Sequence, residues 1–305
     1  MAIEGRQTFG RLGAYRRAQR AQRRAGVWID AFRRLRKNKL ALVCTGLVLF
    51  LVFITVFADF IAPYPYDQPH FGHSWVFPFR DSNFILGTDS LGRDMLSRLI
   101  HGGRVSLLVG LGAQLIALAV GVPLGVVAAL QGGKTDYVIS RMVDVFSSLP
   151  YMVVVILMLA LLGPGLMNIF LAIGISSWVE PCRLMRGQIF SVRETYYVRA
   201  SVSMGASPKH IMLRHLIPNS LAPLIVATAL GIPGKIFAEA GLSFLGLGVR
   251  PPMPSWGLML GESFDFARGY YYMILFPALM VALTMLGFTL MGDGLRDALD
   301  PRMSD

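Results

Sequence analysis

Long apolar runs parted by short polar stretches recur from residue 40 to residue 291 of this 305-residue chain, and they close off most folds at once. In lipid every backbone N–H and C=O must find its partner within the protein, which leaves helices and closed barrels as the structures that cross. A helical crossing takes about 20 mostly apolar residues. The runs here are continuous instead of alternating, so they predict helices. Six spans are expected, at 40–61, 105–130, 142–162, 166–179, 221–245 and 271–291, the fourth of them short. The fold class expected is all-α integral membrane, with six transmembrane helices.

An even number of spans places both ends on one side. The net charge of +11 lies almost wholly in the first 39 residues, a tail that ends in "RRLRKNK" and is opposed only by Glu4 and Asp30. Such charge resists translocation and meets anionic headgroups of the membrane lipid, so both termini are expected in the cytoplasm. The loop 181–220 agrees, setting Arg183, Arg186, Arg193, Arg199, Lys209 and Arg214 against Glu194. The opposite loop, 62–104, mixes four arginines with Asp67, Asp81, Asp89 and Asp94. Nucleic acid is not an expected partner, since no recognition signature accompanies the basic run. The apolar segment after it is too long for a secretory signal. The chain thus divides into a basic tail at 1–39, a membrane domain at 40–292 and a short tail at 293–305. Val27, Trp28, Phe32 and Leu35 among the arginines suggest an amphipathic helix on the inner leaflet.

Chemistry of its own is hard to find in the chain. Cys44 falls in the first span and Cys182 in a loop expected to be cytoplasmic, which gives neither a disulfide framework nor a metal site. No metal-ligand spacing and no GxxxxGK[ST] nucleotide loop occurs. Within the spans, Lys235 and Glu239 stand four apart on one helical face, where an ion pair would lower the cost of burying either; a polar cavity lining is the alternative. Asp144, with Arg141, opens the third span in the same way. Gly121, Pro123, Gly125, Pro150, Gly231, Pro233, Gly234 and Pro277 are expected to serve packing, a minority of them as hinges.

The stretch "YVRASVSMGASPKHIMLRHLIPN", 197–219, is polar and basic between two apolar blocks. Helix is favoured from Glu194 to Met204, Gly205 falls where a left-handed residue ends it, and Ser207 with Pro208 reads as N-cap and first position of a second helix that Pro218 stops. Two helices on a rigid turn make a knob suited to docking. This stretch resembles the EAA loop of ABC importer permeases: Ala200, Gly205 and Pro218 match, while Arg199, Ser201, His215 and Ile217 depart from the pattern. "LGTDSLGRDMLSRLIHGGRVSL" at 86–107, "RMVDVFSSLP" at 141–150 and "EAGLSFLGLGVRPPMPSWGLML" at 239–260 are similar to segments of the second permease of dipeptide, oligopeptide and nickel importers.

The resemblance implies the six-helix, type I ABC importer permease fold in a bacterial or archaeal cytoplasmic membrane. The implied partners are a homologous second permease, two cytoplasmic ATPases that bind the ATP and Mg, an extracytoplasmic substrate-binding protein, and a peptide as substrate. The chain itself would hold no cofactor. By the same resemblance Arg199, Ala200, Ser201, Gly205, Ala206, Ser207, Pro208, Ile217 and Pro218 form the ATPase-coupling segment, at about 194–218. For Asp89, Arg93, Asp94 and Arg98 two readings stand side by side, a gate or binding-protein contact and a local set of pairs and caps. Trp256, after the proline turn at 251–254, is an interfacial anchor candidate. Nickel or another small solute is the alternative cargo. A membrane enzyme built on Asp144 and Glu239, or a scaffold that docks some other partner, is the reading from a different class.

Overall fold

The computed structural model describes residues 32–299. Val27 and Trp28 of the suggested amphipathic helix lie outside them, and residues 32–37 are helical. What stands at the ends of each apolar run decides where its helix begins and breaks. Asn38 opens α1, Lys39–Val56, by accepting from the Ala41 N–H at 3.1 Å. Asp94 opens α2, Met95–Gln131, by accepting the N–H and hydroxyl of Ser97, each at 2.7 Å. That helix therefore begins well before residue 105, with polar first turns buried against protein.

Prolines then divide the expected third and fourth spans. The residue before a proline is driven out of the helical region, and Leu149 is extended at φ −90°, ψ 139°. Its neighbours α3, Gly133–Ser148, and α4, Tyr151–Leu162, meet at 92°. Pro181 cannot donate to the carbonyl of Ser177 and would crowd it, so α5, Leu166–Ser176, is separate from α6, Val179–Arg193. At 11 residues α5 is too short to cross alone. Of the six expected spans, four helices among the described residues have the length and apolarity to cross, and the bent α3–α4 pair makes a fifth candidate. Pro123, Pro223, Pro233 and Pro277 stay inside continuous helices, where neighbours can satisfy the freed carbonyls.

After α6 come α7, Tyr196–Ser203, and α8, Pro208–Ile211. A π-turn, Met212–Leu216, joins α8 to α9, Ile217–Phe244. Pro218 does not end this helix as expected: the Ile217 N–H bonds the Met212 carbonyl five residues back, and the proline enters at the first turn beyond, where its missing N–H costs little. Two more helices follow, α10, Trp256–Ser263, and α11, Tyr272–Leu299.

In the centre, α2 touches α1, α5, α6, α9, α10 and α11. Lipid gives apolar helices no reason to prefer each other to the acyl chains, so their association rests on close packing. Gly121 and Gly125 supply it: a Cβ there would stand 2.3 Å from the Trp178 carbonyl oxygen and 2.5 Å from that of Cys182. Cys182 is accordingly buried on a helix and not in a loop. Trp256 is also fully buried, its indole N–H donating to the Leu99 carbonyl at 2.9 Å, so it is a core residue and no interfacial anchor. The starts of α1 and α9 and the ends of α2 and α11 gather at what we term the tail end; the start of α2, α10 and the loop 62–94 form the far end.

Candidate functional site

At the tail end, α7, a turn and α8 project as a knob. Met204 closes α7, Gly205 adopts φ +79°, and the N–H groups of Gly205 and Ala206 reach back to the carbonyls of Val202 (2.9 Å) and Ser201 (3.1 Å). This is a Schellman turn, which needs a left-handed residue that glycine adopts without steric cost. Ser207 accepts from the His210 N–H at 3.3 Å and Pro208 takes the first helical position. Arg199, in the place of the motif's acid, pairs with Glu194 on the exposed surface. Ala200 is exposed and Ser201 half-buried on α7; Ala206 belongs to the turn, while Ile217 and Pro218 lie past the π-turn at the root of α9. Buried Val198 and Leu216 clamp the knob to Met185, Ile189 and Ala129.

Two features of the knob escape the sequence. Tyr196, Val202, Met204 and Leu213 are large apolar side chains left exposed, Tyr196 at 92%. Beside them Ser207, Lys209, His210, Leu213 and Arg214 line a recess of about 450 Å³. Apolar side chains ringed by basic groups at an exposed turn are the composition of a docking surface.

Within the membrane-depth region, the expected Lys235–Glu239 ion pair is absent. Glu239 is fully buried and accepts hydroxyl protons from Ser106 at 2.8 Å and Ser243 at 2.7 Å, while Ser106 also accepts the Trp256 N–H at 3.3 Å. The carboxyl therefore ties α2, α9 and α10 together. It turns from Lys235 because two hydroxyls already satisfy it. Lys235 instead lines an open cavity of about 800 Å³ with Phe146, Tyr151, Ser177, Glu180 and Arg183. Asp144 does pair with Arg141, at 3.2 Å, and with Arg183 at 3.6 Å, but on an exposed face of α3.

At the far end, Asp89, Arg93, Asp94 and Arg98 come together and are buried. Asp89 accepts Arg93 Nε at 2.6 Å and is also paired with Arg98. Glu262 of α10, which the sequence did not point to, takes Arg98 Nη2 at 2.7 Å and Arg93 Nη2 at 3.5 Å. Asp94 is the helix cap. Nearby Arg104 bonds the carbonyl of Val56 at 2.8 Å and Asp59 at 2.9 Å, and the bonds to Asp59 from Arg104 and, less, from His101 hold its carboxyl below its ordinary value. The segment is a lock between loop, α2 and α10, with its charges facing inward.

Against known proteins, the family model "binding-protein-dependent transport system inner membrane component" matches residues 121–305, and the N-terminal transmembrane domain of oligopeptide transport permease C matches 26–78. The dipeptide transport system permease protein DppC of Bacillus subtilis is 41% identical over 275 residues, 90% of this chain and 85% of that protein. The oligopeptide transport system permease protein OppC of Escherichia coli K12 is 37% identical over 90% of this chain and 91% of its own. A chain of the methionine ABC transporter MetNI, in an inward-facing crystal form, shares the fold at TM-score 0.57 and 20% identity, covering 68% of this chain and 98% of that one.

Proposed function

This chain belongs to the binding-protein-dependent transport system inner membrane components, and from that membership we propose that it is the second permease of an ATP-driven ABC importer that moves peptides inward. Peptides are the named cargo of the similar relatives, which favours them over nickel. The chain is a transport subunit. In this reading two partner ATPases bind and hydrolyse ATP with Mg, a homologous permease supplies the other wall of the pathway, an extracytoplasmic binding protein delivers the peptide at the far end, and both termini lie in the cytoplasm.

The observation that carries the mechanism is the continuity of the knob with the pathway. From Pro208 to Phe244 the chain runs as 37 helical residues without a break. One end holds the recess of Lys209 and Arg214, and the cavity around Lys235 opens roughly 27 Å beyond the start of α9 at 1.5 Å per residue. A groove on an ATPase that grips the knob would move a rod, and the rod would move the cavity wall. ATP binding then favours one of two permease arrangements through contacts that differ between them. Glu194 and Arg199 keep the acid-to-base link within the knob. The lock at the far end would brace the surface onto which the binding protein docks.

Gly205→Arg tests this reading in the tagged complex. A Cβ added at Gly205 meets nothing within 4 Å, so the cost there is the left-handed φ, about 1–2 kcal/mol. The expected result is a membrane-inserted chain that no longer co-purifies with ATPase, or does so without peptide-stimulated hydrolysis. Retention of both would remove the knob from the coupling path.

A further inference from the structure

The cavity beside Lys235 has a chemistry that the transport reading does not assign, and the inference here rests on that reading. Lys235 is 9% exposed on a helix long enough to cross the membrane. Among the described residues it makes no hydrogen bond or ion pair, and Glu180, exposed at the cavity mouth, is an electrostatic neighbour beyond pairing reach. An ammonium at this depth without a counter-charge is costly, and such groups mark substrate or ion paths. Glu239, the carboxylate one turn on, is spoken for by its serines.

Two further observations converge on the same space. Both backbone breaks at membrane depth face it: Leu149, before Pro150, and Ser177, before the start of α6, line the cavity. Irregular backbone at that depth is tolerated where it is enclosed or borders water. The first break leaves the 12-residue α4 starting at Tyr151 with no side-chain cap. Tyr151 stands in the cavity wall, so the first two N–H groups of α4, ahead of those of Val153 and Val154 that bond the Pro150 carbonyl, sit at the edge of the space that holds the ammonium. The Gln114 amide oxygen is buried without a partner in the adjoining recess that Lys235 also lines.

We infer that this cavity is a carboxylate station in the pathway, where Lys235 and the start of α4 hold the C-terminal carboxylate of a peptide in transit. The arrangement of an ammonium and a helix N-terminus suits an anion, and a peptide of any sequence brings one. Glu180 at the mouth presents the opposite sign to the peptide's ammonium end. Side chains need no specific contact, which suits a pathway that receives peptides already chosen by another protein.

The test uses the full complex in proteoliposomes with alanylalanine as the probe, reading peptide moved per ATP hydrolysed for Lys235→Arg, Lys235→Gln and Lys235→Glu. Losing a charge-assisted contact should lower this ratio by about tenfold in Lys235→Gln and further in Lys235→Glu, with Lys235→Arg close to wild type. A ratio that does not follow the charge order overturns the inference. Uptake and hydrolysis failing together in both Lys235→Arg and Lys235→Gln would make Lys235 a structural group and overturn it too. If the wild-type complex hydrolyses ATP but moves no alanylalanine and no longer peptide, the peptide reading itself fails, and that is seen before any variant is compared.

Discussion

The two ends of the molecule use charge in opposite ways. At the far end Asp89, Arg93 and Arg98 are buried and pair with one another, and Glu262 pairs with both arginines. At the tail end Glu194, Arg199 and Lys209 stand exposed on a knob whose backbone, and not its side chains, is held rigid. Buried ions must be paired in place, so they fix geometry. Exposed ions gain little from pairing within the chain and are free to meet a partner. The same residue types make a lock at one end and a handle at the other, and burial decides which.

The largest effect that would break this contrast belongs to the lock. Arg98→Met leaves Asp89 with one fewer partner in a closed site, and the cost expected is about 3–5 kcal/mol. The melting temperature of the purified complex should fall sharply; a change within the error of the measurement would mean that the far-end charges are no more committed than the exposed ones. An intermediate effect is expected at the knob, where Ser207→Ala removes the N-cap of α8 at a local cost of about 1 kcal/mol. Hydrogen exchange should quicken at residues 209–211 while the melting temperature of the complex barely moves. Equal loosening of the whole bundle would show that the knob is not a separate unit. The smallest effect belongs to Asp59, which is exposed at the far end yet bonded to Arg104. Because these bonds depress its folded pKa, its contribution is present above the unfolded value of 3.8 and is lost as pH falls through the lower folded one. Wild type and Asp59→Asn should therefore begin to converge in stability as pH falls below 3.8, and should also converge in high salt. A difference that salt leaves untouched would assign Asp59 to the buried set.

Local rules made much of the molecule legible. Glycine at a left-handed position, serine before proline, and apolar length are each read from a few neighbouring residues, and Gly205, Ser207 and α1, α2, α9 and α11 follow from them. What needed the folded chain was partnership across distance. Glu239 chose Ser106, 133 positions away, over the lysine one turn back on its own helix. Glu262 joined Arg98 across 164. Nothing in periodicity announces such pairs. The division of the third and fourth spans was hidden for a different reason: breaks fall at or just before Pro150 and Pro181, while Pro223 and Pro233 sit inside a continuous helix, and residue type alone does not separate the two cases.

The π-turn at Met212–Leu216 has a consequence for counting. A wheel drawn at 100° per residue straight through from Pro208 treats the rod as uniform. The π-turn accommodates one residue more than an α-turn in nearly the same arc, so every position from Ile217 on is displaced by about 100° from where such a wheel puts it. Lys235 faces the cavity at an angle to Lys209 that holds only with the extra residue counted. It follows that this turn is where the chain can gain or lose a single residue while the gripped face and the cavity face keep their bearing to each other; the same change one turn later would swing Lys235 out of the cavity.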